Sequence, residues 1–337
     1  MHKRTFLLAS TLSAALVLSA CGGGGGGSSA PAPTPSPVSQ FSPISAANST
    51  KVASNANAAN GAIGTSSSTV ADLLTGVTIE GHGISAVAPA LGLISRAYNG
   101  SAPKLLTGVA ATQACSGGGT IAVNGTVKSE TAASNGDSLT FTATNCVEGG
   151  MLMNGAFSLT FSGISGTAFG ATPWAATIDA QFSAFHVVSG SESATASGDM
   201  KIAMSQTSST SLSMSISGKS FQASETIGTS VSNFTLSDYS VSATVQGATV
   251  SAAANYNLSG NTPALGQFAY SVRNITPFVS VGGGVPTAGS FIVNGAASSV
   301  TMTVVAGGNV KLDYSAKGDG VITQTSTVTW AAFLASI

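Results

Sequence analysis

Chemistry in this chain has to come from very few side chains. Its 337 residues include 3 His, 3 Cys, 11 Lys or Arg and 12 Asp or Glu. Glu80-Gly81-His82-Gly83 sets a histidine and an acid among glycines, as at a turn tip. His82 is therefore the leading candidate for a general base, because an imidazole titrates nearest neutrality. A serine nucleophile there would have to be delivered by the fold, and proximity counts for little in so serine-rich a chain. Asp313 to Gly320 carries acids at the two ends of a calcium-type spacing. However, Ser315 and Lys317 stand where more carboxylates are needed, and no bidentate Glu follows. A hairpin turn at Lys317–Gly320, joining Val310–Tyr314 to Val321–Trp330, accounts for the segment better. Gly218-Lys219-Ser220 copies the end of a phosphate loop, yet Ser213 occupies the place of its first glycine and Phe221-Gln222-Ala223 continues a strand pattern. Gly-x-Ser-x-Gly and His-Glu-x-x-His do not occur. The reading is of a protein with no catalytic residue, no metal site and no cofactor.

Composition narrows the partners. Charged residues make up 7% of the chain, against roughly a quarter in an ordinary globular protein. A net charge of −1 leaves no basic footprint for nucleic acid. Aromatics at 6% and a mean hydropathy of +0.35 fit neither an acidic disordered tail nor a helical membrane protein. Apolar residues at 43% can build a real core in one large domain or two small ones.

The N-terminus is the most specific segment. Met1 to Thr5 is cationic, and Phe6 to Val17 is apolar apart from Ser and Thr. At about twelve residues the apolar stretch is too short for a bilayer core of about 30 Å, and it reads as the core of a secretory signal. It ends in Leu18-Ser19-Ala20-Cys21, which resembles the lipobox of bacterial lipoprotein precursors. The resemblance implies that residues 1–20 are removed and that Cys21 receives a thioether-linked diacylglycerol and an amide-linked acyl chain such as palmitate. The membrane is then a partner through the anchor. Gly22, where an Asp would signal inner-membrane retention, implies the outer membrane, with the folded part facing the periplasm or the surface. Residues 21–43 form a tether in which Gly22 to Gly27 give flexibility and the alternating prolines of Ala30 to Pro37 give reach. With Cys21 consumed, Cys115 and Cys146 remain as an even pair in an oxidising compartment. Each stands beside a glycine-rich turn, and a disulfide clamping a hairpin is expected.

Residues 44–100 read as a small helical lead-in and 101–337 as a β domain. A helix is predicted over Ile44 to Asn60, with Ser45 as N-cap, Gly61 as C′ and a thin stripe of Ile44, Val52, Ala56 and Ala59. A second is predicted from Pro89 to Tyr98, stopped by Asn99-Gly100. Beyond residue 119 the period becomes two. Ser211 to Ser217 alternates throughout, as do Phe157, Leu159 and Phe161, and Val300, Met302 and Val304. Between Phe234 and Val245 the apolar parity slips, so Ser237-Asp238 is predicted to be a bulge or turn. Hairpin turns are predicted at Asn124-Gly125, Asn135-Gly136, Asn154-Gly155, Ser259-Gly260, Asn294-Gly295 and Gly307-Gly308. The fold expected is mainly β: about a dozen antiparallel strands as a curled sheet, sandwich or half-open barrel, with a short helical N-terminal region. A transmembrane barrel is disfavoured, since 5 Tyr and 2 Trp cannot supply two aromatic girdles. Two functions remain: a non-catalytic envelope module that binds a macromolecule or glycan, and a carrier of a lipid or other hydrophobic ligand.

Overall fold

The computed structural model describes residues 41–59, 86, 89–90, 93, 110–129, 132–282 and 284–336. Residues 49–59 are helical. Ser45 caps this helix as expected: its Oγ accepts from Asn48 N at 3.3 Å, and Asn48 Oδ1 accepts from Ser45 N at 2.8 Å. The predicted stripe is the buried face, with Ile44, Val52, Ala56 and Ala59 all inaccessible. Residues 89, 90 and 93 are also helical; Gly61 and the rest of the second predicted helix lie outside the described residues. No helix among the described residues is long and apolar enough to cross a membrane.

Fourteen strands follow: β1 (Ala110–Ala114), β2 (Thr120–Thr126), β3 (Ser138–Glu148), β4 (Met151–Ser165), β5 (Trp174–Ser189), β6 (Glu192–Ser208), β7 (Ser211–Ile227), β8 (Ser230–Gln246), β9 (Thr249–Thr262), β10 (Gly266–Val281), β11 (Ala288–Gly295), β12 (Ser298–Val305), β13 (Asn309–Ser315) and β14 (Gln324–Thr329). A short helix, Trp330–Leu334, closes the described chain, and the Thr329 side chain caps it. Every strand pairs antiparallel with its neighbours in sequence, in the order β1 to β14. The mainly β expectation is met. The strands form one open sheet that neither closes into a barrel nor splits into a sandwich, and it is not curled. Part of its apolar face is covered by non-strand segments. Tyr256 donates its hydroxyl to Ala56 O at 2.5 Å, Ser54 Oγ donates to Phe333 O at 2.7 Å, and Tyr314 donates to Ile44 O at 3.1 Å.

Four of the predicted hairpin glycines are not in turns; Gly295 is the last residue of β11, just before the turn at Ala296-Ala297. Gly125, Gly155 and Gly260 lie inside β2, β4 and β9, because the central strands run to 17 residues and the true turns fall elsewhere. Those turns include Gly149-Gly150, Gly190-Ser191, Gly228-Thr229 and Gly247-Ala248. Inside a strand a glycine marks a bulge or a close approach. Gly260 lies between Phe234 on β8 and Phe268 on β10, whose rings meet across it with centroids 6.3 Å apart. Gly198 on β6 does the same for Phe182 and Phe221, at 6.1 Å.

The row through Gly198 runs along the apolar face: Val123, Phe141, Phe157, Phe182, Gly198, Phe221, Leu236, Leu258 and Tyr270 occupy successive strands from β2 to β10. Phe141 stacks on Phe157 at 4.7 Å, and Phe157 meets Phe185 edge-on at 5.2 Å. Such pairs add about 0.5–1.5 kcal/mol each beyond area burial.

A line of register slips crosses this row at Gly198, with slips between β3 and β4, β4 and β5, β5 and β6, β6 and β7, β8 and β9, β9 and β10, and β10 and β11. One of them is the predicted bulge: the β8–β9 register shifts between Ser237 and Ser240, and Asp238 has φ 47°. The extra residues keep apolar side chains on one face while their parity changes, from Ala143 to Cys146 on β3, Phe182 to Phe185 on β5, Ile216 to Phe221 on β7 and Leu236 to Tyr239 on β8.

A Cβ at Gly198, where φ is 121°, would lie 2.2 Å from Ser220 O. Gly198→Ala is therefore expected to lose about 1–3 kcal/mol to backbone strain and more to displacement of β7. Gly228→Ala, at φ 60° with open space around it, should lose only the left-handed penalty of about 1–2 kcal/mol. Urea unfolding of the two variants compares them; equal losses would refute a close approach at Gly198.

Candidate functional site

The polar face of the sheet is the largest assembled feature, and the slips organise it. At four of the slips, backbone N–H groups freed from the ladder are accepted by a side chain on an adjacent strand. Asn154 Oδ1 takes Asn145 N at 2.8 Å, Ser197 Oγ takes Ala184 N at 3.0 Å, and Asn255 Oδ1 takes Asn274 N at 3.1 Å. Asp199 takes two, Lys219 N at 2.8 Å and Ser220 N at 2.9 Å. Lys219 Nζ then reaches Asp238 Oδ1 at 2.9 Å. The pair is exposed at the surface, where water screens it. The hydrogen bond that Lys219 donates to Asp238, ahead of the carboxylate's charge, holds the lysine pKa above its ordinary value.

Polar residues continue in two cross-strand rows near this line. One runs from Asn124 and Thr140 through Ser158, Gln181 and Asp199, then from Ser220 and Ser237 to Asn257 and Ser271. A second crosses Asn154, His186, Thr195, Ser224, Asn233 and Asn261. Their neighbours are about 4.8 Å apart. Asp199 is the one acid of the two rows, and two backbone donors occupy it. The surface therefore offers amides and hydroxyls with little net charge, which suits a neutral hydrogen-bonding polymer better than an ionic one.

No family model matches this chain, and no known curated protein or solved structure is detectably similar to it.

Of the residues singled out in the sequence, Cys21, Glu80 and His82 lie outside the described residues. Cys115 and Cys146 are joined in a disulfide with a Cα separation of 5.4 Å. The bond ties the β1–β2 connection to β3 across β2, rather than clamping a single hairpin. Ser116, beside it, donates both its N and its Oγ to the Glu148 carboxylate, at 2.9 and 2.7 Å. Closing a loop of this length contributes about 3–4 kcal/mol in the chain-entropy treatment. His186 Nδ1 is 2.9 Å from Thr195 Oγ1.

The phosphate-loop look-alike is part of the slip between β6 and β7, and the Asp199 carboxylate fills the place an anion would take. Asp313 and Asp319 serve different partners. Asp319 Oδ1 accepts from Ser315 Oγ at 3.2 Å and Val321 N at 3.0 Å. Asp313 meets Thr325 Oγ1 at 2.7 Å and Lys311 Nζ at 2.7 Å. Burial pushes the Asp313 carboxyl up, but hydrogen bonds from Lys311 and Thr325 outweigh it and leave the group below its ordinary value. No group of three potential metal ligands occurs among the described residues. The turn joining β13 to β14 lies where predicted but is longer: Val321 and Ile322 stay outside β14, and Trp330 begins the terminal helix.

The sequence reading missed Asn154, Ser197, Asp199 and Asn255. The parity changes at Phe182 to Phe185 and Ile216 to Phe221 were visible signals for two of the slips. Asp199→Ala would leave the N–H groups of Lys219 and Ser220 without their acceptor, at about 1–3 kcal/mol for a buried group and less where water replaces it. Asp199→Asn keeps one carbonyl acceptor and should fall between Ala and the parent. Thermal unfolding of the two variants gives the order, and amide exchange at Lys219 and Ser220 should accelerate most in Asp199→Ala.

Proposed function

We propose that this protein is a cell-envelope lipoprotein, anchored in the outer membrane through Cys21, that acts as a non-catalytic binding or structural module for a macromolecule or glycan. The observation that carries the reading is the separation of the two sheet faces. The apolar face is filled by interlocked side chains, while the opposite face is a broad, nearly neutral field of amides and hydroxyls. A neutral surface of that kind recognises partners through many weak hydrogen bonds, and its binding should change little with salt.

The carrier reading has one observation in its favour. Asn55 is 1% exposed, and its Nδ2 has no hydrogen-bond partner among the described residues. A buried guest carrying an acceptor would satisfy that amide.

Two experiments test the proposal. Cys21→Ser cannot form the thioether, so metabolic labelling with palmitate should mark the parent and not the variant; label retained by the variant would place the anchor elsewhere. The second separates module from carrier at Ile216, which is 1% exposed and pairs with Ile202 and Val241. In a solid core Ile216→Ala should cost about 2–5 kcal/mol. Native mass spectrometry of the parent should show no co-purified hydrophobic mass. A near-neutral variant together with a bound mass would establish the carrier instead.

A further inference from the structure

The two ends of the sheet differ in chemistry. At one end the chain enters the fold. Ser42 N donates to Ala269 O at 2.8 Å, Ala269 N donates to Ser42 Oγ at 3.0 Å, and Ala296 N in the β11–β12 turn donates to Ser42 O at 3.0 Å. The β7–β8 turn at Gly228-Thr229 and the connection from β13 to β14 lie at this same end of the strands. Both carry exposed apolar side chains: Ile227 at 45%, Val231 at 47%, Val321 at 64% and Ile322 at 55%. The last row of the polar face at this end is partly apolar, running from Leu152 to Val188 and on to Val231. At the opposite end the corresponding row is hydroxylic at its centre, Ser205, Ser213, Thr244 and Ser251, between Ala175 and Val279; among the described residues its exposed apolar side chains are Val281, the last residue of β10, and Val285 in the connection that follows, at 55% and 53%.

We infer that the end of the sheet carrying Ile227 and Val231 is a membrane-facing rim, whose hairpin tips enter the interfacial region of the lipid surface that holds the anchor. This rests on the lipid-anchor reading of Cys21. Two observations choose lipid over a protein partner. Ile227 and Val231 flank the turn and differ in register parity, so they project to opposite faces of the sheet. A flat protein surface covers one face of a hairpin, whereas a fluid apolar phase covers both. Second, Ser42, near the end of the predicted tether of residues 21–43 that begins at Cys21, is fixed at this end of the sheet. Anchor and rim then act together, as membrane attachment through two signals requires.

The test uses the full lipid-bearing chain bound to vesicles of phosphatidylethanolamine and phosphatidylglycerol with brominated acyl chains. Ile227→Trp, Val231→Trp and Val285→Trp are compared after subtraction of the parent's emission. Bromine should quench the tryptophans at 227 and 231 roughly twofold or more, as burial at the acyl boundary demands, and leave the one at 285 unaffected. Quenching at only one of the two tip positions, or equal quenching at 285, would overturn the rim while the anchor stands. Failure of the parent to float with the vesicles at all would overturn anchor and rim together.

Discussion

Every backbone N–H that leaves the ladder of a wide sheet has to find another acceptor, and in this protein that requirement recurs along a line from β3 to β11. An extra residue in a strand frees donors that cannot be left dry without a cost of about 1–3 kcal/mol each. The acceptors come from the neighbouring strand: Asn154, Ser197, Asp199 and Asn255. They fix the register of strands up to 17 residues long, in which the alternation of serine with small apolar residues would by itself tolerate a slip of two. The polar line therefore does the work of register that charged or bulky residues perform in other sheets.

The same line determines what the apolar face can look like. Because the parity changes at the slips, apolar residues stay inward on both sides of them. Aromatic rings gather next to the line, where glycines leave room above the backbone. Gly198 and Gly260 are each bridged by rings from both flanking strands. Gly218 is opposite Tyr239, whose hydroxyl lies 2.5 Å from where a Cβ would be and donates instead to Asp199 O. Phenols on this face are held protonated by burial, most strongly Tyr256 and Tyr239, with Tyr270 pushed up to about 12. Tyr239 donates to Asp199 O at a slip, and Tyr256 donates to Ala56 O, which couples the helix at 49–59 to the sheet.

A nearly uncharged polar face has a further consequence. Lys201 meets Asp179 at 2.7 Å and Lys219 meets Asp238 at 2.9 Å, both at the surface. Solubility of this face therefore depends on hydroxyls and amides. Such a surface is hydrated without a strong field, so it neither steers ions nor repels a second neutral surface.

Sequence alone determined the class of the fold and the chemistry of its faces. Period-two alternation is a local property, so Ser211 to Ser217 or Val300 to Val304 could be assigned to strands with one wet side. The parity slip at Ser237-Asp238 was legible for the same reason, as were the Ser45 cap and the pairing of two cysteines. The tertiary structure decided which glycines turn the chain and which lie within it: Asn154-Gly155 and Ser259-Gly260 have the composition of hairpin turns, yet pairing on both sides keeps them in strands. It also decided that fourteen strands remain one open sheet and that Asp199 serves a neighbouring strand rather than a ligand. Those outcomes depend on contacts between residues 20 to 200 positions apart, such as Asp199 with Lys219 and Ala56 with Tyr256, and local sequence pattern carries no record of such distances.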